Sequence, residues 1–335
     1  MGCRRIPILD ALRHPQQILR RLCLVTSIAT VGLAIAGCGA TTHVKFDGNK
    51  AFSYLKAQCD FGPRPPNTET HRKCGDYLVN SLKPLADAVS EQNFECQVDQ
   101  RTLNLRNIIA HFHPEMKEYI LLCAHWDTRP VADEEVDKTK AAKPILGAND
   151  GASGVAVLLE LARILHETPP KIGVMMVFFD GEDYGATPNL MFMGSKHFAK
   201  KLGDLKRAYG KPIKPRYGIL LDMVGDRNLQ IYRERFSDGK APEIVDKVWK
   251  AAADLGYGDV FKNTNKYYVS DDHTPLLAAG IKCIDVIDFD YPYWHTLDDT
   301  VDKCSPQSLQ IVGDVIAKVI YSEPALFTGK SQSSK

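Results

Sequence analysis

Residues 172–183 read IGVMMVFFDGED, an apolar run that ends at three acidic side chains. A short apolar run of this kind favours a buried β-strand, and the acids mark the point where the chain leaves the sheet. Further strands are predicted at 107–113, 118–125, 217–225 and 282–290, where β-branched and other large apolar residues cluster. These five stretches are expected to belong to one sheet.

Helical patterns fill the intervals between the predicted strands. Helices are predicted at 51–58, 72–86, 154–167, 241–256 and 305–323. Within 154–167, apolar side chains recur on one face, and Glu160 and Arg163 are expected to point away from that face. Alternation of strands and helices favours an α/β fold: a single domain with a central mixed, mainly parallel twisted sheet flanked by helices.

The overall charge of the chain excludes some partners. The 335 residues include 42 Lys and Arg against 41 Asp and Glu. Because the net charge is close to zero, no nucleic-acid partner is expected, and bulk charge would not recruit the protein to an anionic membrane.

The first 38 residues are predicted to be a signal peptide with a lipobox. Arg20 and Arg21 precede an apolar stretch that is short for a spanning helix, which needs roughly 20 apolar residues. The motif IAGC at 35–38 resembles a bacterial lipobox, in which Cys38 is lipidated; an ordinary signal peptide or an uncleaved anchor is the alternative. The expectation is an exported bacterial lipoprotein at the periplasmic face of a membrane.

The remaining chain is predicted to contain a linker at 39–47, one folded domain at 48–327 and a polar tail at 328–335. Six of the nine cysteines lie beyond the signal peptide: Cys59, Cys74, Cys96, Cys123, Cys283 and Cys304. An exported protein can pair some of them, but the sequence does not indicate which. None has CxxC spacing, so a cysteine zinc site is not expected.

Polar side chains collect where the predicted strands end. They are His125 and Asp127, then Asp180, Glu182 and Asp183, then Asp222, then His295, with Asp150 at the start of a helix. A single acid after a strand is usually a turn former or a helix cap. Agreement among several strand ends favours a ligand site at the carboxyl edge of the sheet instead. Imidazole and carboxylate ligands together suit zinc.

Six motifs extend this argument to a family. In order along the chain, they are CAHWDT, GANDGASG, FFDGEDYG, LLDMVG, SDDHTP and WHTLDDT. Together they resemble the zinc aminopeptidase superfamily, and within it most closely the glutaminyl cyclases, including bacterial members of the animal type. The resemblance runs from FGPRPP at 61–66 to WHTLDDT at 294–300, and it implies a zinc aminopeptidase-like catalytic domain.

The resemblance also implies a set of metal ligands. Asp150, Asp183 and His295 match the ligands of one zinc ion, and one zinc per chain is expected. His125 and Asp222 match the residues with which aminopeptidases hold a second zinc. The family commonly has Glu where this chain has Asp183, so the backbone must approach the metal more closely or the ligand is weaker.

The acid–base residues follow from the same resemblance. Glu182 is predicted to be the general acid/base, joined with Asp222 and Asp271 in a carboxylate network that raises its pKa. Asp272 is the alternative to Asp271 in that network. His273 is predicted either to hydrogen-bond within the site or to have a structural role.

The aromatic stretch before His295 is predicted to form an apolar pocket for the substrate. Trp294, which matches a cyclase tryptophan, is expected to form one wall, together with Phe289 and Tyr291. Packing of the sheet edge is the alternative for Tyr291 and for Tyr293.

Supporting roles are predicted for several further residues. Asp127 is expected to orient His125 or its metal, and Asp180 to support the turn at Gly181. Asp298 and Asp299 are expected to cap the next turn or to support His295. Surface or packing roles are predicted for His71, His111, His113, His166 and His197.

The reaction implied by the resemblance is cyclisation of an N-terminal glutamine to pyroglutamate with release of ammonia. Peptides or exported proteins that begin with Gln would be the substrates, and a monomer is expected. A di-zinc aminopeptidase is the alternative enzyme. An inactive relative that only binds peptides is disfavoured, because Glu182 and the ligand set are present.

Overall fold

The computed structural model describes residues 45–185, 187–202 and 215–324. Its strands are β1 (Ala88–Val98), β2 (Arg101–Phe112), β3 (Tyr119–His125), β4 (Gly173–Phe179), β5 (Tyr217–Asp222), β6 (Ile231–Arg233), β7 (Phe261–Asn265) and β8 (Cys283–Ile287). Its helices are α1 (Gly48–Cys59), α2 (Glu69–Leu82), α3 (Ala152–Glu167), α4 (Met193–Lys201), α5 (Arg235–Lys240), α6 (Pro242–Asp254), α7 (His273–Ala278) and α8 (Pro306–Ser322).

Six of the strands form one sheet in the order β1-β2-β4-β3-β5-β8. The pairs β4–β3, β3–β5 and β5–β8 are parallel, whereas β1–β2 and β2–β4 are antiparallel. The predicted mixed, mainly parallel sheet in a single α/β domain is confirmed. Strands β6 and β7 form a separate parallel pair.

Successive side chains of the central strands serve two different cores. In β3, Ile120 and Leu122 pack on the face covered by α1, α3, α6 and α8, and Leu121 and Cys123 pack on the face covered by α4 and α7. Every residue of β3 and β4 is buried. Continuous apolar runs are required here, because a strand with helices on both faces has no solvent side.

The predicted elements are all present, with shifted ends. The strand predicted at 107–113 begins earlier, as β2. Strand β1 was not predicted, since its only apolar alternation, Phe94, Cys96 and Val98, lies among polar residues. The elements α4, α5, α7, β6 and β7 were also missed, and each has nine residues or fewer.

The start of the described chain packs against α3. Glu160 points away from the apolar face of α3 and is fully buried, hydrogen-bonded to Arg163 and to the backbone N–H of Asp47. Helix α1 covers that side of α3, which a helical pattern read in isolation does not reveal. Two residues of the predicted linker contact the domain: Phe46 is fully buried in the core, and the Asp47 side chain caps α1.

Other predictions about the chain ends lie outside the described residues. These include the signal peptide with Cys38, most of the linker and the polar tail. All six cysteines after residue 38 are described, and all are free thiols. Within the described ranges, no helix combines the length and the hydropathy needed to cross a membrane.

Close contact between α3 and the sheet depends on Gly154. A Cβ atom at this position would lie 2.1 Å from the Leu221 carbonyl oxygen and 3.0 Å from Ala124 Cβ. We expect Gly154→Ala to lower the free energy of unfolding by about 1–3 kcal/mol, because helix and sheet must separate to admit the methyl group. Urea denaturation measures the change.

Gly239→Ala in α5 is the matched control, since a Cβ atom there would meet nothing within 4 Å. It should be neutral or stabilise the protein by up to about 1 kcal/mol, because alanine favours helix over glycine. Equal effects of the two substitutions would contradict the packing argument.

Candidate metal and acid–base site

The candidate site lies at the carboxyl ends of the parallel strands. His125 is the last residue of β3, Asp222 is the last residue of β5, and Glu182 and Asp183 follow the end of β4. Asp150 lies directly before Gly151, the N-cap of α3. Because β3 lies between β4 and β5, these side chains converge at one edge of the sheet.

Asp150 is shared by two groups of potential metal ligands. One group is Asp150, Asp183 and His295, and the other is His125, Asp150 and Asp222; in each group, one ligand atom per residue lies within 4.8 Å of the others. All five residues are buried. The structure therefore brings together the ligands implied for a first zinc and those implied for a second.

The first group has free ligand atoms. His295 Nε2 lies 3.4 Å from Asp183 Oδ2 and 3.6 Å from Asp150 Oδ2. Both carboxylate oxygens are buried and have no hydrogen-bond partner. Buried carboxylate oxygens normally have partners, so two unpartnered ones facing an imidazole fit a bound cation.

The second group is already paired internally. His125 Nε2 lies 3.1 Å from Asp150 Oδ1 and 3.2 Å from Asp222 Oδ1. Burial by itself lowers the pKa of His125, but the charge of Asp222 and hydrogen bonds to neighbouring carboxylates raise it well above its usual range. A protonated imidazole would then balance the carboxylates without a second cation.

Two buried aspartates hold the loops that carry these residues. Asp127 accepts hydrogen bonds from the backbone N–H groups of Glu182, at 3.1 Å, and Asp183, at 3.3 Å. It was predicted to orient His125 or its metal, and its Oδ1 forms an ion pair with His125 Nδ1 at 3.7 Å. Asp127 thus fixes the acidic loop after β4.

Asp299 has the equivalent role for the loop before α3. It accepts hydrogen bonds from the backbone N–H groups of Asn149, at 2.9 Å, and Asp150, at 3.1 Å. The Tyr291 hydroxyl donates to the same carboxylate at 2.8 Å. Asp299 therefore supports Asp150 rather than His295, whereas Asp298 is exposed.

This geometry corrects the role predicted for Tyr291. Its side chain is 4% exposed and packs against Met223, Val269 and Ile287, with its hydroxyl directed at Asp299. A ring in this position supports the loop before α3 and is not available to line an open pocket. The packing alternative describes Tyr291 correctly.

Positive φ angles surround the site. Gly151 (98°) follows Asp150, Gly181 (68°) precedes Glu182, Met223 (47°) follows Asp222, and His295 itself has φ 54°. Positive φ is uncommon for residues other than glycine and costs energy that the surroundings must compensate. The backbone therefore turns sharply where each ligand or acid must face the centre of the site.

Glu182 is buried beside His125. Its Oε2 lies 3.7 Å from His125 Nδ1. Burial raises the pKa of Glu182 well above its usual range; His125 opposes this effect, and Asp183 and Asp271 add to it. A raised pKa makes the carboxylate a stronger base, which suits a group that accepts a proton and then donates it.

A deeper acidic cluster lies behind Glu182. Asp271, His273 and Asp285 offer ligand-type atoms within 4.8 Å of one another, and all three are buried. Burial, together with repulsion from Asp222, raises the pKa values of Asp271 and Asp285 well above the usual range. Asp285 was not predicted to belong to the site. The sequence signal that could have identified it is an acidic residue inside an apolar strand, where a charged side chain is shielded from solvent.

His273 and Asp272 also lie in this region. His273 Nε2 is 3.3 Å from Glu234 Oε2. Asp272 is buried, and burial raises its pKa to about 7. Both residues therefore belong to the acidic interior behind the strand ends.

Aromatic rings cover one side of His295. Trp294 stacks on the imidazole with ring centroids 3.8 Å apart, and Phe289 lies 5.4 Å from Trp294. Tyr267 continues the row at 5.3 Å from Phe289. Trp294, Phe289 and Tyr293 are all partly exposed, so their rings are available to a ligand at the mouth of the site.

Two residues that the sequence reading missed complete the site. Arg129 donates hydrogen bonds to both Asp183 and Asp133, and Asp133 Oδ1 lies 3.3 Å from His295 Nδ1. Both residues belong to the long charged connection at 128–144, and long loops in compact domains often carry function. No individual motif distinguished them from the other charges there.

The histidines outside the site have packing or surface contacts. His71 is buried, stacks on Trp126 and is hydrogen-bonded to Asp180 at 2.8 Å. Asp180 also accepts from the Arg106 backbone N–H at 2.6 Å, so it ties β2 and α2 to the end of β4 rather than supporting the Gly181 turn alone. The other four lie away from the ligand groups: His111, His113, His166 and His197.

With this geometry established, comparison with known proteins identifies the family. The model of peptidase family M28 matches residues 107–320.

The chain belongs to peptidase family M28.

This M28 chain is similar to proteins with two different descriptions. A Bacteroides thetaiotaomicron glutaminyl cyclase structure, bound to N-acetylhistamine, is 40% identical with a TM-score of 0.78, covering 84% of this chain and 99% of that one. Another structure from that organism, described as a leucine aminopeptidase precursor, is 40% identical with a TM-score of 0.79, covering 84% and 98%. The Drosophila melanogaster glutaminyl-peptide cyclotransferase is 26% identical over 75% of each chain. The family resemblance and the fold read from the motifs are confirmed.

The hydroxyl group of Tyr291 provides a direct test of the loop support in this M28 chain. We expect Tyr291→Phe to lower the free energy of unfolding by about 1–3 kcal/mol, because Asp299 loses a buried hydrogen-bond donor. Tyr268→Phe is the control, since Tyr268 is 66% exposed and should tolerate the change. Thermal and urea unfolding measure both variants, and unchanged stability of Tyr291→Phe would show that the hydroxyl does not support the loop.

Proposed function

We propose that the protein is a zinc-dependent glutaminyl-peptide cyclotransferase, which converts an N-terminal glutamine to pyroglutamate and releases ammonia. One observation carries the choice of this reaction within family M28. Of the two adjacent ligand groups, only Asp150, Asp183 and His295 offers two unpartnered carboxylate oxygens, whereas His125 is paired with the carboxylates around it. This supports a single zinc per chain.

A single cation is sufficient for cyclisation because no water molecule has to be activated. A zinc ion held by Asp150, Asp183 and His295 would supply Lewis acidity toward the γ-carbonyl oxygen of the glutamine. The nucleophile is the α-amine of the same residue, so the reaction is intramolecular and depends mainly on how the substrate is held.

Glu182 has the properties required to move the proton. The α-amine nitrogen forms a bond to the γ-carbonyl carbon, and the bond from that carbon to the amide nitrogen breaks. Glu182 takes one proton from the attacking amine and gives it to the departing nitrogen, which leaves as ammonia. Its burial and the neighbouring carboxylates, which raise its pKa, suit both halves of this transfer.

Asp222 and Asp271 are proposed to form a carboxylate network with Glu182. Burial, followed by repulsion from Asp222, raises the pKa of Asp271. Because Asp285 adjoins the same cluster, it extends the carboxylate network assigned from the motifs. Asp271 adds to the effect of burial in raising the pKa of Glu182.

The aromatic side of the site is proposed to hold the glutamine side chain. Trp294 and Phe289 are partly exposed beside His295, and their rings would exclude water from the folded substrate. Tyr291 is left out of this pocket because it is buried against the loop before α3.

The alternative is a di-zinc aminopeptidase. His125, Asp150 and Asp222 form a ligand group of their own, and two metals about 3.5–4 Å apart can generate a hydroxide for peptide hydrolysis. The relative described as a leucine aminopeptidase precursor favours the same alternative. Zinc content and reaction products separate the two reactions.

We also propose the cellular setting that the N-terminal motif indicates. An exported lipoprotein anchored through Cys38 at the periplasmic face of a membrane would meet peptides and exported proteins that begin with Gln. A monomer is proposed for the assembly state.

The reaction is tested by its products. We expect the purified zinc-loaded protein to convert Gln-Ala to pyroglutamyl-Ala and ammonia, and to leave Leu-Ala intact, because only glutamine carries an amide within reach of its own amine. Mass spectrometry and an ammonia assay measure both products. Release of free amino acids from either peptide, without the lactam, would reject the cyclase in favour of the aminopeptidase.

The proton transfer is tested by Glu182→Gln. This isosteric change should lower kcat by about 10²- to 10⁴-fold, the usual contribution of a general acid/base, while zinc content stays the same. Glu95→Gln is the matched control, because Glu95 is exposed on β1 and should not affect turnover. Full activity of Glu182→Gln would rule out the proposed role.

A further inference from the structure

Behind the candidate zinc ligands lies an ion pair that the proton transfer does not use. Arg129 Nε donates to Asp133 Oδ1 at 2.8 Å, and Arg129 Nη2 donates to Asp133 Oδ2 at 2.7 Å. A planar guanidinium that holds both oxygens of a carboxylate fixes the orientation of both groups as well as their positions. The Arg129 side chain is 4% exposed, so water competes little for its donors.

The remaining arm of Arg129 reaches Asp183. Nη1 donates to Asp183 Oδ1, while Oδ2 of the same carboxylate is unpartnered and faces His295 Nε2. The backbone N–H of Asp183 is held separately by Asp127. With one oxygen occupied and the backbone fixed, Asp183 presents a single oxygen toward the ligand group.

The other member of the ion pair reaches His295. Asp133 Oδ1 lies 3.3 Å from His295 Nδ1. An acceptor at this distance favours the tautomer with its proton on Nδ1, which leaves the Nε2 lone pair free for a metal. The backbone N–H of Glu134 also donates to the His295 carbonyl at 3.3 Å, which ties the loop to this residue.

The charges around the first ligand group also balance. Arg129 and Asp133 neutralise each other, which leaves the two negative charges of Asp150 and Asp183 to match a divalent cation. Without Arg129, three carboxylates would surround the His295 imidazole in a buried site, and their repulsion would distort the ligand geometry.

We propose that Arg129 and Asp133 form one positioning unit that holds Asp183 and His295 in their metal-binding orientations and thereby sets the zinc affinity. The inference rests on the ligand set of the proposed function. Neither residue needs to contact the substrate, since both act through the ligands.

Zinc affinity, measured by competition with a chromogenic chelator, tests this role without reference to turnover. Arg129→Met should weaken zinc binding by about 10- to 100-fold, the range typical for loss of an outer-shell partner. Asp133→Asn should weaken it by a similar factor. Because the two residues act together, the double variant should lose less zinc affinity than the product of the two single losses.

Arg129→Lys keeps the positive charge but not the planar guanidinium, so its zinc affinity should be intermediate. This variant also tests the role of Arg129 if Arg129→Met does not fold.

Arg163→Met is the matched control. It removes a guanidinium that pairs with the fully buried Glu160 in α3, outside the ligand groups. Its zinc affinity should remain that of the unaltered protein, even if its stability falls. A zinc affinity unchanged in both Arg129 variants would overturn the positioning role.

Failure of the underlying assignments would give different results. If His295→Ala retained stoichiometric zinc, the ligand set itself would be wrong, and the positioning unit with it. If the Arg129 variants lost zinc affinity while the unaltered protein made free amino acids instead of lactam, the positioning unit would stand and only the cyclase reaction would be rejected.

Discussion

Repulsion among buried acidic side chains is the constraint on which the rest of the site depends. Seven acidic residues collect at the carboxyl edge of the parallel strands or in the interior next to it, and all are buried: Asp150, Glu182, Asp183, Asp222, Asp271, Asp272 and Asp285. Burial and like charge both disfavour ionisation, so each carboxylate needs a proton or a positive neighbour. His125, Arg129 and a divalent cation can supply the positive charge. The raised pKa values of Glu182 and Asp271 show that these two carboxylates bind protons more readily than exposed ones do.

Carboxylates from elsewhere in the chain also give the site its rigidity. Asp127 binds the backbone of the loop after β4, and Asp299 binds the backbone of the loop before α3. Each loop is therefore held by an acid from a distant part of the sequence. Ligands on loops fixed in this way keep their geometry before a cation or substrate arrives, which is what catalysis by positioning requires.

Local sequence signals predicted the sheet and the members of the site because both are encoded by short segments. An apolar run followed by an acid identifies a strand end, and neighbouring parallel strands bring such ends together. The motifs then ordered Asp150, Asp183 and His295 correctly as one spatial group. Long helices such as α3 and α8 could also be predicted from the sequence, since their apolar periodicity extends over several turns.

Features that depend on contacts between distant parts of the fold could not be predicted from the sequence. Arg129 and Asp133 look like ordinary charges of a polar loop until Asp183 and His295 are placed beside them. Glu160 was predicted to point away from the apolar face of α3, and the pattern does not show that α1 buries it there. Tyr291 and Trp294 are three residues apart in one aromatic stretch, and only the hydrogen bond to Asp299 assigns the first to packing. For Arg129 and Glu160 the deciding contacts come from residues far away in sequence, and for Tyr291 the contact comes from a residue eight positions along the chain.

Burial of Phe46 has a mechanical consequence if Cys38 carries the proposed lipid. Among the described residues, Phe46 is the first that belongs to the core, so fewer than ten residues would connect it to the acyl chains. A fully extended chain spans no more than about 3.6 Å per residue, which limits this tether to about 30 Å. The short tether would keep the catalytic domain close to the membrane surface. It would therefore encounter polypeptide N-termini near the bilayer more often than those far from it.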